Sequence, residues 1–360
     1  MLHAMRTALV SWTSGAACAA LLLSACASKP RQPPPNLYPT PAPYATQPGA
    51  YPQQPYPQQP GTVPPSPTAL PGPPAPAPPP AATPLPPVAA PATYDPINAV
   101  DITFLRGRAQ AVLGELVANL PAAQQQRVQG IPLIPDTEVG EVNAFAACTE
   151  RGKAVMAISD GMLDISAHLA QARAIDEIFG LRKVDEYIAF VARTQRPDSP
   201  VVRPAPGFFD PAQSVDPRKV QRQHQLLDEQ IAFVLGHELA HHYLGHLPCT
   251  AGGAVTLSEV NRVLADAVPL FNQPNEAAAD AAGVNNVLTT GSRRQGYRFT
   301  EGGALLTMQF FGGVDQLSPL DILFGFERSH PPPAGRTVVI QQTANAFRMT
   351  GGQGLPILSF

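Results

Sequence analysis

Of the 44 prolines in this 360-residue chain, 27 fall between Pro30 and Pro96, and no Asp, Glu, Lys or Arg occurs from Gln32 to Tyr94. Such a stretch cannot bury enough apolar surface to offset the entropy of ordering it, and its prolines favour extended polyproline II. It reads as a tether over residues 27–97, leaving 98–360 as one domain with a sizeable core. At about 3.1 Å per residue, fully extended polyproline II of this length reaches on the order of 200 Å. The near repeat Tyr51-Pro-Gln-Gln-Pro-Tyr-Pro-Gln-Gln-Pro60 would also suit a partner that reads polyproline, but a plain spacer is the simpler reading and the one preferred.

The first 26 residues carry Arg6, an apolar run and then Leu23-Ser24-Ala25-Cys26, the pattern of an export signal. Leu-Ser-Ala-Cys resembles the bacterial lipobox, which implies lipidation of Cys26 after cleavage. Ala27 follows the cysteine in place of Asp, which under the usual sorting rule implies the outer membrane. Two other readings share these residues: Ala25-Cys26-Ala27 fits an A-x-A cleavage site, and an uncut segment would be a membrane anchor. Export leaves Cys148 and Cys249 in an oxidising compartment, where a disulfide or two separate buried thiols are equally compatible with the sequence.

The formal charge is −3, and no basic patch interleaved with aromatics stands out, which argues against nucleic acid as a partner. Helical spacing covers residues 99–120, 161–179 and 184–194. Short β segments at 131–134, 142–147 and 154–159 include a hairpin turning through Glu150-Arg151-Gly152-Lys153. Residues 196–217 read as a Pro-containing loop, either an insertion over the cleft or a plain connector. Asp216-Pro217 starts a helix that can run to Leu247, before Pro248, with a buried stripe of Val220, Leu227, Ile231, Val234 and Leu235. Further helices are expected over 257–267, 275–288, 301–311 and 334–347, giving an α+β chain that is mostly helical with one small sheet.

The long helix contains Gly236-His-Glu-Leu-Ala-His-His242. His237 and His241 lie about 40° apart around the axis and one turn along it, so both imidazoles can bind one tetrahedral zinc ion. Glu238 lies about 100° further round, where it can take a proton from the attacking, zinc-activated water and pass it to the leaving amine. Leu244 and Leu247 stand where a metzincin needs Gly and His, which excludes that class. On a straight helix His246 is about 180° from His237 and faces away from the site, and His242 is also off the ligand face. Glu276 and Asp280, one turn apart in Asn275-Glu-Ala-Ala-Ala-Asp280, offer a third ligand and an acceptor for the outer N–H of a ligand histidine. The bland alternative is a solvated helix face, against which the alanines at 277–279 and 281–282 argue, because they suit close packing.

These residues resemble the HtpX-like and CAAX-prenyl-protease-like gluzincins, family forty-eight of the metallopeptidases. Val142-Asn-Ala-Phe-Ala146 with Ala154 to Met162 resembles the family's hairpin-to-helix segment. Gly236 to His246 matches its H-E-x-x-H-x-x-x-x-H form, and Glu276 to Asp280 its E-x-x-x-D. Ser329-His330-Pro331-Pro332 followed by Arg336 resembles its late S-x-H-P…R element. The resemblance implies a gluzincin fold with its small sheet at the active-site cleft. It implies one zinc ion held by His237, His241 and Glu276, with Glu238 as base and acid. It implies an edge strand near 154–159 that pairs with extended substrate, and His330 near the metal, stabilising an oxyanion or gating access. A histidine capping the turn before Pro331 is the other reading of His330; Arg336 is assigned to positioning. No apolar run of 18 residues follows the export segment, unlike in polytopic relatives. The combined expectation is a lipid-anchored periplasmic zinc endopeptidase acting on misfolded or misassembled envelope proteins. The alternatives are an envelope scaffold or chaperone with a latched or structural zinc site, and a metal-dependent hydrolase acting on something other than protein.

Overall fold

The computed structural model describes residues 94–352 except 198, 266–272 and 319–322. The export segment, Cys26 and the tether up to residue 93 lie outside the described residues. The described part takes in four residues that composition assigned to the tether, Tyr94 to Ile97. Asp95 accepts the backbone N–H groups of Ile97 and Asn98, its carboxylate meets Gln223 and His224, and Ile97 is fully buried.

Helix α1 (Ile102–Asn119) starts at Asp101, whose side chain accepts the N–H groups of Thr103 and Phe104. A short α2 (Ala122–Val128) follows Pro121. Three strands come next, β1 (Leu133–Asp136), β2 (Ala144–Cys148) and β3 (Ala154–Ser159). Then come α3 (Asp160–Phe179), capped by Ser159, and α4 (Lys183–Thr194). The Pro-rich loop ends in a single turn, α5 (Pro211–Ser214), before the long α6 (Pro217–Tyr243), with Asp216 as cap and Pro217 at the first position. The chain closes with α7 (Leu257–Ala265), α8 (Gln273–Arg293), α9 (Gly302–Leu317), α10 (Gly325–Ser329) and α11 (Pro333–Met349).

Helix α6 is the axis of the core, with α1, α3, α8 and α9 packed around it. It is buried on every side from Leu226 to Tyr243, so the expected stripe understates its burial, and Val220 is only partly covered. A helix walled in all round must satisfy its polar side chains from its neighbours, and this one carries His237, Glu238, His241 and His242 inside. No helix among the described residues is long and apolar enough to cross a membrane.

The sheet has the order β1-β3-β2, with β1 parallel and β2 antiparallel to β3. Ala144, Met156 and Ile158 point into the main core. Phe145, Val155 and Ala157 point the other way, onto Val263 and the partly buried Val260 and Leu264 of α7, as period-2 alternation requires. This order corrects the expectation of an edge strand at 154–159. That strand is central and paired on both sides; the hairpin pattern shows its pairing with β2 but not the parallel pairing with β1.

Cys148 and Cys249 form a disulfide across 101 residues of sequence, with Cα atoms 5.4 Å apart. It ties the end of β2 to the segment after α6, where Thr250 pairs with the β2–β3 turn at Gly152 and Ala154. Closing a loop of that length restricts the unfolded chain strongly. The double replacement Cys148→Ser with Cys249→Ser is therefore expected to cost about 2–5 kcal/mol, read as a lower denaturant midpoint. An unchanged midpoint would show that the remaining contacts hold this segment without the bond.

Candidate metal centre

His237, His241 and Glu276 meet where α8 crosses α6. His237 Nε2 lies 3.2 Å from His241 Nε2 and 3.4 Å from Glu276 Oε2, and His241 Nε2 lies 3.4 Å from Glu276 Oε1. Ligands about 2.0–2.1 Å from a tetrahedral zinc ion stand roughly 3.3–3.4 Å from one another, so the three separations fit such a centre. Glu276 supports the same fit. It is 1 % exposed, and neither carboxylate oxygen has a hydrogen-bond partner among the described residues. A buried carboxylate without donors is costly unless a cation takes its place. A second group, His237, Glu238 and His330, also gathers possible ligand atoms and shares His237 with the first.

The crossing is close because it is made by glycines. A Cβ on Gly283 would stand 2.9 Å from the backbone N of His237 and 3.0 Å from the carbonyl carbon of Gly236. Glu276, Asp280 and Gly283 fall on one face of α8, at spacings of four and seven from the first. Backbone contact at Gly283 therefore sets how near Glu276 comes to the histidines two turns earlier.

Outer contacts orient the ligand rings. His237 Nδ1 donates to Asp280 Oδ1 at 2.9 Å. Asp280 is in turn held by both arms of Arg336, Nε to Oδ2 at 2.9 Å and Nη2 to Oδ1 at 2.7 Å. Asp280 is fully buried and Arg336 4 % exposed. Burial and the Arg336 charge act to lower the His237 pKa, but the Asp280 and Glu276 carboxylates outweigh them and raise it to about 9. His241 moves the other way, pushed down to about 4 by burial and by the neighbouring His237. Burial acts to raise the Glu276 carboxyl, yet the two histidines hold it far below the usual carboxylate range.

Glu238 stands on the other side of His237, its Oε1 3.9 Å from His237 Nε2 and 3.2 Å from His330 Nε2. Burial acts to raise its pKa, but the His330 contact and the His237 charge prevail and lower it, which keeps the carboxylate ionised. His330 stacks on Phe326, with ring centroids 4.5 Å apart. Its Nδ1 side makes the local turn contacts, to Ser329 Oγ at 2.8 Å and the Phe326 carbonyl at 3.2 Å, while Nε2 reaches Glu238. The turn contacts thus lie on one side of the ring and the Glu238 contact on the other. Asn143 Oδ1 accepts from the Ser329 hydroxyl at 3.2 Å, and the Val142 carbonyl accepts from the Phe326 N–H at 3.0 Å. The start of β2 therefore holds the turn that presents His330.

The model of peptidase family M48 matches residues 107–344, well over half of the chain. The chain belongs to peptidase family M48. No curated protein and no solved structure matches it significantly. As an M48 protein it is a metallopeptidase with an α+β, zincin-like domain, and members of that family typically use zinc.

One sequence expectation at the site is overturned. Helix α6 ends at Tyr243 and not at Leu247, because Gly245 adopts φ +80° and reverses the chain. His246 consequently folds back, and its Nδ1 lies 2.9 Å from His241 Nδ1 instead of facing away. His242 packs inside, 3.0 Å from the Val155 carbonyl of β3, and so links α6 to the sheet. Sequence reasoning also missed Asn143 and the Gly236–Gly283 crossing. The signal for His246 was Gly245 itself, a usual residue for the left-handed position after a helix.

Proposed function

We propose that this M48 metallopeptidase is a zinc endopeptidase in which His237, His241 and Glu276 hold one metal ion. The observation that carries the reading is the tetrahedral spacing of those three ligand groups around a carboxylate that lacks any other donor. When bound, zinc supplies Lewis acidity, making water a nucleophile near neutral pH and polarising the scissile carbonyl. Glu238, ionised and beside His237, takes the proton from the attacking water and delivers it to the leaving amine. His330 Nε2 steadies that carboxylate, and an imidazole beside the base is suited to donate to a developing oxyanion. Asp280 fixes His237 with its proton on Nδ1, so that Nε2 is free to ligate, and Arg336 holds Asp280 in place.

A substrate strand, if it pairs with the sheet, needs an outer edge, and β3 has none. Pro135 in β1 lacks an N–H, which blunts that side. The segment leading into β2 passes the His330 turn at Val142, and we assign the substrate strand to the β2 edge. His237, His241, Glu238 and Glu276 are each at most 1 % exposed, and Ala144 and Ala146 of β2 are fully buried. This burial favours a second reading, a latched site that opens on a signal or serves a scaffold. Against a purely structural centre stands Glu238, which such a centre does not use.

The decisive experiment compares the wild type with Glu238→Gln on an unfolded protein, with zinc content measured for both. The variant is expected to keep its zinc and lose about two to four orders of magnitude in rate. Equal cleavage by both proteins would sink the protease reading, and inactivity of both with zinc bound would favour the scaffold. We further propose anchoring to the bacterial outer membrane through lipid on Cys26, on the periplasmic side, with misfolded or misassembled envelope proteins as substrates. Its support is the Leu23-to-Cys26 sequence and the tether that follows. Radioactive palmitate should label the full chain and not Cys26→Ala; labelling of both would remove the anchor.

A further inference from the structure

The loop after α6 contains a contact that the catalytic reading does not use. Gly245 N–H donates to the His242 carbonyl at 3.1 Å, and His246 N–H donates to the His241 carbonyl at 3.0 Å. With Gly245 at φ +80°, this is the helix-ending motif that folds the second residue beyond the helix back over the last turn. It sets the His246 ring edge-on to His241, with centroids 5.0 Å apart and the two Nδ1 atoms 2.9 Å apart. The loop is held again three residues later by the Cys148–Cys249 disulfide and by Thr250 against the β2–β3 turn. His246 is therefore fixed from both sides.

His241 directs Nε2 at His237 and Glu276, so Nδ1 is its outer nitrogen. Two imidazole nitrogens 2.9 Å apart share a single proton, one donating and the other accepting. A histidine that ligates through Nε2 carries its proton on Nδ1 and needs an acceptor there. For His237 that acceptor is Asp280. We propose that His246 is the matching positioning residue for His241: its Nδ1 accepts the His241 Nδ1–H and holds that ring in the tautomer and orientation that present Nε2 to the metal. The two ligand histidines then have unlike supports, a carboxylate clamped by Arg336 for one and a neutral imidazole on a disulfide-held loop for the other. This inference rests on His241 being a ligand.

Two replacements separate hydrogen bonding from packing. His246→Phe keeps the ring and removes the acceptor; His246→Asn removes the ring and places an amide oxygen where Nδ1 stood. Zinc affinity is measured on the full chain by competition with a chelator, beside His241→Ala. The expected result is a ten- to hundredfold loss for His246→Phe and a smaller loss for His246→Asn. Wild-type affinity in His246→Phe, or a greater loss in His246→Asn than in His246→Phe, would overturn the proposal. Unchanged zinc binding in His241→Ala would instead overturn the ligand assignment beneath it. Nuclear magnetic resonance of the zinc-loaded wild type gives a readout that needs no variant, a coupling between the two Nδ1 atoms across the shared proton. Its absence would also overturn the proposal.

Discussion

Glu276→Gln is expected to reduce zinc affinity by roughly a thousandfold and to abolish proteolysis at limiting zinc. Structural zinc sites bind with about 10–16 kcal/mol, so the loss of one ligand in three removes on the order of 3–5 kcal/mol. The position has no substitute. Both Glu276 oxygens face the histidines at 3.4 Å and have no other described hydrogen-bond partner, and α8 cannot slide to bring another group up. Gly283 already touches the backbone of Gly236 and His237, so an approach by α8 would drive backbone into backbone. Glu276→Asp tests the same point from the other side. It keeps the charge but withdraws it by one methylene, and a helix fixed at Gly283 cannot advance to compensate, so its zinc affinity should fall between wild type and Glu276→Gln. Measured by competition with a chelator, wild-type affinity in Glu276→Gln would mean that the third ligand lies elsewhere. The nearest alternative is the group of His237, Glu238 and His330.

The residues that sequence reasoning placed correctly in space are those whose geometry follows from one helix. His237 and His241 share a face because four residues make nearly one turn, and Glu276 and Asp280 do so for the same reason. Alanines between and beyond the two carboxylates mark α8 as a helix that packs closely, and it crosses α6 with Asp280 fully buried. The misplaced features all depend on contacts between distant segments or on a break in regularity. The edge assignment at 154–159 failed because strand order depends on a parallel partner some twenty residues earlier, which no local period reveals. A straight helix would carry His246 away from the site, but Gly245 ends the helix and turns it back. The Gly236–Gly283 contact is invisible in sequence because a glycine inside a helix signals only a missing side chain, and what passes over it belongs to the tertiary fold. Neither could spacing decide whether Cys148 and Cys249 lie within bonding distance, since they stand 101 positions apart.

Asp280→Ala should cost both stability and zinc, through two separable causes. It strands Arg336, whose guanidinium is 4 % exposed and spends two donors on that one carboxylate. An unpaired buried cation costs about 3–5 kcal/mol, which would show as a large drop in the urea midpoint of the metal-free protein. It also leaves His237 Nδ1 without its acceptor, which is expected to weaken zinc ten- to a hundredfold. Adding Arg336→Met to Asp280→Ala removes the stranded charge and puts an apolar chain of similar length among the same neighbours, including the Phe326 ring 5.2 Å from the guanidinium. The double variant should therefore recover most of the lost stability. It should not recover the zinc affinity, because the acceptor for His237 is still missing. If zinc affinity returned together with the urea midpoint, Asp280 would act on the metal only by keeping the fold intact. If stability returned alone, the carboxylate holds the His237 ring for the metal, and Arg336 is present chiefly to hold the carboxylate.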